Sequence, residues 1–280
     1  MGRITEILSA KRRFVFLFIG MLLFLPPLSF VPQAAGEPNM CGKVCPRLFI
    51  ILSPKGILPG ALSNIQAMWF GVMLVAVILA VTYFFGRLWC SHLCPIGGFS
   101  EMVSRIFPGW MKINFTGIDV PAFRYGYFAV FVVGAYAGIG AIACKLCNFR
   151  VIPFLVGAPF EPAYVAYFST SMGLAGLLSV SVFGFFARGG RAYCNLLCPV
   201  GAMDAAVNYI ACRFGSTRKV RTDRERCDGC GSCVRSCMVG ALSVDGTLKI
   251  RRDALVCMSC RDCEKVCPQG AIAYGKGEKR

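Results

Sequence analysis

The sequence predicts an all-α membrane domain of four transmembrane helices, built as two duplicated hairpins, followed by a small cysteine-rich α+β domain. The chain is 56% hydrophobic with only 16% charged residues, and four apolar runs approach the length of about 20 residues that crosses a bilayer. After Cys212 the composition becomes polar and basic. We therefore divide the chain into a membrane domain (1–212), a basic linker (213–225) and a C-terminal domain (226–280).

The predicted spans alternate in direction, so the chain is expected to be multi-pass. They lie at about 14–32, 65–85, 121–143 and 165–187. Lys11, Arg12 and Arg13 precede the first span, and by the positive-inside rule they predict a cytoplasmic N-terminus. Both termini and the C-terminal domain are then expected on the cytoplasmic side of a bacterial inner membrane. A cleaved signal peptide is the alternative for the first span, but its counterpart in the duplication favours retention.

The duplication is visible in two short peptides. Gly86-Arg87 precedes Cys90-x-x-x-Cys94-Pro95, and Gly190-Arg191 precedes Cys194-x-x-x-Cys198-Pro199 at a constant offset. Because each half holds two spans, the halves share one orientation about an axis along the membrane normal. This symmetry predicts two sets of four thiols, one at each face: an inner set (Cys90, Cys94, Cys194, Cys198) and an outer set (Cys41, Cys45, Cys144, Cys147).

Four thiols suit an iron–sulfur cluster, so one or two clusters are predicted in the membrane domain. At the inner set, Pro95 and Pro199 occupy first helical positions, which would direct helix N-termini towards thiolates. Reactive thiols or a metal-trafficking site are the alternative there. At the outer set, two local disulfides are the alternative, because that face is oxidising.

The C-terminal domain carries two runs of the bacterial ferredoxin spacing, each Cys-x-x-Cys-x-x-Cys-x-x-x-Cys. In this spacing the fourth cysteine ligates the other cluster, which predicts two 4Fe–4S clusters. A zinc ribbon needs only paired Cys-x-x-Cys knuckles and is the weaker alternative. The predicted ligands are Cys227, Cys230, Cys233 and Cys267 for cluster 1, and Cys237, Cys257, Cys260 and Cys263 for cluster 2.

Between the runs, Leu242 to Ile250 is predicted to form a hairpin, with Asp245-Gly246 at its turn. Met238 stands where the first run would usually have proline.

Other chemistries are not favoured by the composition. The net charge is +16, but half of the Lys and Arg follow Cys212 and many others flank the apolar runs, so we predict no nucleic-acid partner. His92 is the only histidine, which excludes bis-histidine haem within this chain. Arg87 and Arg191 are interpreted as helix-end anchors at the headgroups, with tuning of the inner site as the alternative. The acids near the faces are interpreted as solvated, with acceptance of quinol protons as the alternative: Glu37, Glu101, Glu161 and Asp119.

The combination of four spans, two Cys-x-x-x-Cys-Pro motifs and two ferredoxin runs resembles the NapH-type membrane ferredoxins and their relatives MauN and the membrane part of NosR. The NapH type is the quinol dehydrogenase subunit associated with periplasmic nitrate reductase. The resemblance implies an electron-transfer subunit of a quinol-oxidising complex, passing electrons between menaquinol or ubiquinol and a partner outside the cytoplasm. Implied partners are membrane lipid, quinone, and a periplasmic ferredoxin or cytochrome with its oxidoreductase. The outer cysteine set is not part of the family pattern.

The alternative function is a membrane assembly factor that relays copper or reducing equivalents to a periplasmic metalloenzyme. Soft thiolates favour Cu(I), which keeps this reading open for the membrane cysteines.

Overall fold

In a computed structural model, the structure describes residues 2–37, 40–41, 44–45, 69–115, 117–136, 146–214 and 217–276. The helical part comprises α1 (Gly2–Phe24), α2 (Phe30–Ala34), α3 (Trp69–Phe85), α4 (Pro95–Ile106), α5 (Val120–Tyr136), α6 (Asn148–Gly157), α7 (Pro162–Phe168), α8 (Ser171–Val180), α9 (Ala192–Leu196) and α10 (Pro199–Ala211). Short π-helical turns cover Trp89–Leu93 and Ser181–Phe185, and short 3-10 turns cover Gly109–Met111 and Arg188–Gly190.

The prediction of four transmembrane helices arranged as two hairpins is wrong. Within the described residues, no single helix is both long and apolar enough to cross a bilayer. One bent pair, Pro162–Phe168 followed by Ser171–Phe185, reaches the required length and composition together, but its two parts meet at 85°. The predicted positions 65–68 and 137–143 lie outside the described residues.

Local sequence explains two of the interruptions. Helix α1 ends at Phe24, just before Pro26-Pro27, because proline cannot donate the next helical hydrogen bond. In the predicted fourth span, Thr170 lies between α7 and α8 and is the N-cap of α8. Its hydroxyl donates to Tyr167 O at 2.7 Å and accepts from Gly173 N at 3.1 Å. A side chain at Gly173 would collide with Tyr167 O, so glycine permits this sharp fold.

The duplication survives in three dimensions around the cysteine motifs. Helices α4 and α10 each begin with the proline that follows the second cysteine. Cys94 and Cys198 occupy the N-cap positions with nearly the same extended backbone, at ψ 113° in both cases. The repeated peptide therefore folds twice into a helix N-terminus with a thiol at its cap.

The C-terminal part is a small α+β domain, as predicted. Its elements are β1 (Lys219–Thr222), α11 (Ser232–Ser236), β2 (Leu242–Val244), β3 (Ile250–Arg252), α12 (Asp262–Lys265) and β4 (Ile272–Gly275). Strand β1 pairs antiparallel with β4, and β2 pairs antiparallel with β3. The second pairing, with Val244 opposite Ile250, confirms the predicted hairpin.

Two hydrophobic cores lie under the cysteine sites. The first packs Phe24, Ile96, Val151 and Tyr193 around Cys94 and Cys198. The second packs Val220, Leu242 and Ile250 around Cys233, Cys257 and Cys263. Cysteines that the sequence analysis predicted as ligands therefore lie in the hydrophobic cores of both parts of the chain.

Candidate iron–sulfur sites

Three cavities in the described chain are each lined by four cysteines. The first, of about 340 Å³, lies in the C-terminal domain, between the start of the first cysteine run and the end of the second. Its cysteines are the four predicted for cluster 1: Cys227, Cys230, Cys233 and Cys267.

The second cavity has about 350 Å³ and lies at the opposite end of the same domain. Its cysteines are the four predicted for cluster 2: Cys237, Cys257, Cys260 and Cys263. The fold therefore crosses the runs: the last cysteine of each run lines the cavity of the other, as the spacing predicts.

The third cavity, also of about 350 Å³, lies between the two Cys-x-x-x-Cys-Pro motifs. Its cysteines are the predicted inner set: Cys90, Cys94, Cys194 and Cys198. All four are buried, and Trp89, Phe149 and Tyr193 complete the wall. Each motif supplies two thiols, which are too few for a four-ligand site, and the duplication brings the two pairs together around one cavity.

The donor set and the local backbone fit an iron–sulfur cluster at each cavity. The three volumes agree within about 10 Å³. Backbone amides point at the sulfurs: Ala241 N donates to Cys237 Sγ and Ala271 N to Cys267 Sγ, both at 3.3 Å. At the inner cavity, Gly201 N donates to Cys198 Sγ at 3.4 Å. Such amide donors stabilise the negative charge of cluster thiolates.

A single metal ion fits these cavities less well. Among the described residues, no three His, Cys, Asp or Glu side chains converge closely enough to hold one ion. In a 4Fe–4S cluster each iron takes one thiolate, so the four sulfurs surround the cavity instead of meeting at a point. The ligand assignment itself stays a prediction.

Burial controls the acidity of these thiols. It raises the pKa of Cys94 to about 11, with a further contribution from the neighbouring Cys194. Burial also raises the pKa of Cys90, reinforced by the carboxylate of Asp204. In the C-terminal domain, burial raises the pKa of Cys260 to about 12. Cluster binding at these positions must therefore supply the free energy that holds the cysteines as thiolates.

Two arginines of the duplicated peptide flank the inner cavity, and their interpretation as headgroup anchors is wrong. Arg87 and Arg191 are 0% and 1% exposed. Arg87 Nε pairs with Asp204 Oδ2 at 2.9 Å, and Arg191 Nη2 pairs with Glu101 Oε2 at 2.8 Å. Burial alone would lower the pKa of each guanidinium, but the paired carboxylate raises it overall. Both arginines carry their charge beside the inner cysteines.

The sequence analysis did not recognise the acids of these pairs as partners of the two arginines. Glu101 is 1% exposed, which corrects its interpretation as a solvated acid, and Asp204 was not singled out. Asp204 Oδ2 also accepts from Cys90 Sγ at 3.2 Å, and its other oxygen accepts from the Thr82 hydroxyl. The available signal was a lone carboxylate in an otherwise apolar helix directly after Cys-Pro.

Helix α4 carries apolar residues such as Ile106 on one side and polar residues such as Glu101 on the other. In the structure its polar side packs inwards: Ser100, Glu101 and Ser104 are buried, while Ile106 is 79% exposed. Arg13 of α1 explains why, since it bonds Glu101 at 2.6 Å and Asp262 of the C-terminal domain at 3.1 Å. Helix α4 is therefore a component of the site.

The C-terminal domain rests on the inner cysteine module through the loop that begins the second run. Arg124 Nη1 donates to Leu255 O at 2.6 Å, and Asn208 Nδ2 donates to Ala254 O at 2.7 Å. Ser259 is buried against Gly86: a Cβ added at Gly86 would lie only 2.6 Å from the hydroxyl oxygen of Ser259. The cluster 2 cavity therefore adjoins the inner module, whereas Cys230 of the cluster 1 cavity is exposed.

The remaining cysteines are less informative. Cys45 and Cys147 of the outer set are buried and Cys41 is exposed, but Cys144 lies outside the described residues, so this set stays a prediction. Cys212 is buried and accepts from Arg252 Nη2 at 3.4 Å, outside the three cavities. Met238, in the place of the usual proline, packs against Gly189.

Comparison with known proteins agrees with the cysteine geometry. Residues 67–114 and 171–217 match a 4Fe–4S binding domain, and residues 226–271 match a 4Fe–4S dicluster domain. The ferredoxin-type protein MauN of Methylobacillus flagellatus is 29% identical over 196 residues, which is 65% of this chain and 62% of MauN. The chain is a ferredoxin-type 4Fe–4S protein of the NapH/MauN kind. The two matches to the 4Fe–4S binding domain each contain one Cys-x-x-x-Cys-Pro motif.

Two further proteins are similar to parts of this NapH/MauN-like chain. YccM of Escherichia coli K12, a proposed electron transport protein, is 26% identical over 194 residues, 65% of this chain and 49% of YccM. MauN of Paracoccus denitrificans is 36% identical over 70 residues, 25% of this chain and 23% of MauN. The chain thus covers about half to three-fifths of the first two relatives. No solved structure matches it. What these comparisons share is 4Fe–4S binding, which both family models describe.

Proposed function

We propose that this chain is a membrane-associated electron-transfer subunit that carries electrons between the quinone pool and a redox partner protein through three 4Fe–4S clusters. The observation that carries the proposal is the third cavity. It matches the two ferredoxin cavities in volume and in its four cysteines, and it adjoins the cluster 2 loop. Such a row of sites is suited to transfer in steps of one electron.

The order of the sites follows from their surroundings. The inner set is buried on all sides, the cluster 2 loop contacts the inner module, and the cluster 1 loop carries the exposed Cys230. Electrons would therefore pass from inner set to cluster 2 to cluster 1, or in reverse. Partner contact is expected at the cluster 1 end, where a cysteine reaches the surface.

Contact with lipid is supported by an inverted distribution of polarity. Large apolar side chains are exposed on four helices, among them Phe18 (52%), Val77 (54%), Val130 (68%) and Leu178 (66%). Several ionic side chains are instead buried beside the hydrophobic core, including Arg87, Arg191, Glu101 and Asp204. Exposed apolar surface of this extent favours attachment to a membrane or a partner, and we propose the bacterial inner membrane.

Quinol as electron donor is compatible with this arrangement. Oxidation of one quinol releases two electrons and two protons, and the electrons enter the protein one at a time while the protons pass to water. The resemblance to NapH-type proteins motivates this part of the proposal.

The copper-relay alternative finds less support. A Cu(I) site with three thiolate ligands would need three ligating side chains around one ion, and no such group occurs among the described residues.

Iron and acid-labile sulfide counts test the proposal. Three clusters require about twelve irons per chain, whereas two require about eight. The double variant Cys94→Ser, Cys198→Ser should lose about four irons and keep the EPR signals of the ferredoxin pair. Cys212→Ser is the matched control, since that buried cysteine lines none of the three cavities, and its iron content should be unchanged.

Two results would contradict the proposal. Full-chain preparations with about eight irons that do not change in the double variant would remove the third cluster. Stoichiometric Cu(I) bound at the inner set, with no reduction of the chain by a quinol, would favour the assembly role.

A further inference from the structure

A cleft with about 300 Å³ of space for a ligand lies between the inner cysteine module and the C-terminal domain. Its size falls in the range of small-molecule sites, about 300–1,000 Å³, which are often formed between domains. Gly117 and Ile118 lie at the surface, so the cleft opens outwards on that side.

Both neighbouring cysteine sites border this cleft. Cys237, predicted to ligate cluster 2, lines it directly. On the opposite wall lie Ala192, Asn195 and Leu196, which belong to the short helix that carries Cys194. A molecule held here would lie beside two of the three proposed clusters.

The walls define the ligand's chemistry. Apolar side chains form most of the surface, including Phe115, Val120, Leu196, Val239 and Leu242. No Asp or Glu is found among the described residues that line it. The polar side chains that offer donors are the guanidinium of Arg188 and the amide NH2 groups of Asn114 and Asn195.

Two of the polar residues have defined roles already. Asn195 Oδ1 accepts from Arg124 Nη2 at 3.0 Å, so the amide NH2 is the group that Asn195 offers to a ligand. Arg191 bonds Glu101 and Cys90 O, which leaves Arg188 as the cation for ligand binding. One cation and apolar walls suit a neutral ring with carbonyl acceptors better than a phosphate-bearing cofactor.

We propose that this cleft is the quinone site, with the ring between Phe115 and the Cys237 segment and with Arg188 and Asn195 donating hydrogen bonds to its carbonyl oxygens. This assignment rests on the proposed quinone-linked function and adds the location and the recognising residues.

Binding of 2-methyl-1,4-naphthoquinone to the full, iron-loaded chain tests the assignment, with isothermal calorimetry as the measurement. Arg188→Leu should weaken binding about tenfold or more, because a hydrogen bond to a charged donor contributes about 1.5 kcal/mol or more. Arg188→Lys should recover part of the affinity. Ala192→Phe should abolish binding by filling the cleft.

Arg213→Leu is the matched control, since Arg213 is exposed beside Tyr209 and does not line the cleft. Iron content and circular dichroism establish that each variant has folded. Wild-type affinity in both Arg188→Leu and Ala192→Phe would overturn the assignment and leave quinone-linked function standing. If the wild-type chain neither binds the naphthoquinone nor is reduced by its quinol, both the cleft assignment and the quinone-linked function are wrong.

Discussion

Arg87 and Asp204 form an ion pair between the two halves of the duplication, with 2.9 Å between Nε and Oδ2 and with both side chains fully buried. Arg191 and Glu101 form the reciprocal pair, from the second half to the first. Each arginine stands just before one Cys-x-x-x-Cys motif and reaches the helix that follows the other. The inner cavity is therefore framed by two crossed pairs that require both halves of the chain.

Breaking one of these pairs should be costly. Asp204→Asn leaves the Arg87 charge buried without its counter-ion, and we expect a loss of about 3–5 kcal/mol in the free energy of unfolding. The double variant Arg87→Met, Asp204→Leu should lose less unfolding free energy than Arg87→Met or Asp204→Leu alone, because neither charge is then left unpaired. Denaturant unfolding followed by circular dichroism gives the values.

The exposed pair Arg224–Asp245 serves as the control for that experiment. Arg224 is 51% exposed, so Arg224→Met should cost no more than about 1 kcal/mol. Equal losses at the two pairs, or strictly additive losses at Arg87 and Asp204, would show that the buried pair does not act as a unit.

Gly97 is predicted to be essential for the inner site alone. A Cβ at this position would overlap Arg191 Nη1 and lie 3.3 Å from Cys194 Sγ. Gly97→Ala should therefore displace the guanidinium into the cavity and lower the iron content by about four per chain, while the ferredoxin signals persist. Gly126→Ala is the control variant, because no atom lies within 4 Å of a Cβ built at Gly126. Normal iron content in both variants would mean that the cavity tolerates this displacement.

Arg124 is predicted to hold the C-terminal domain on the inner module. Its guanidinium is buried and bonds both Asn195 and Leu255 O. Arg124→Met should increase tryptic cleavage after Arg213 and Arg218 and weaken the magnetic coupling between the inner cluster and cluster 2 in EPR spectra. Arg12→Met, at an exposed position of α1 outside the linker, should change neither. Unchanged proteolysis and coupling in Arg124→Met would place the docking energy in other contacts.

Trp110 provides a test of membrane contact. It is 84% exposed, next to Ile106 at 79%. In the variant Trp69→Phe, Trp89→Phe, in which Trp110 is the remaining tryptophan, reconstitution into phospholipid vesicles should shift its emission to shorter wavelength. Brominated lipids should then quench it. Undiminished quenching by aqueous iodide, with no effect of bromine, would place this surface in water.

Much of the site was predictable because cluster ligands are set by local spacing. Three cysteines on one tight loop surround one cavity almost regardless of the rest of the chain, and the fourth follows from the crossing of the two runs. The hairpin between Val244 and Ile250 also follows from short-range signals, an Asp-Gly turn between β-forming residues.

The helices were predicted less well, because hydropathy records how apolar a segment is and not where it bends. The Pro26-Pro27 step and the Thr170 cap interrupt two apolar runs that hydropathy reads as continuous. Lone polar residues were also misread: Arg87, Arg191 and Glu101 look like surface residues until their partners are known.

The sequence by itself determined the cysteine runs, the duplication and the separate C-terminal domain, since each is written in neighbouring residues. The duplication also predicted that the two Cys-x-x-x-Cys-Pro motifs meet as one four-thiol set. Only the tertiary structure decided that Arg87 and Arg191 exchange carboxylate partners beside that set, and that a cleft opens beside Cys237. These features join residues that are far apart in the sequence. Arg87 and Asp204, for example, are separated by 117 positions. Burial and pairing at that range depend on how the whole chain packs, and no local pattern encodes them.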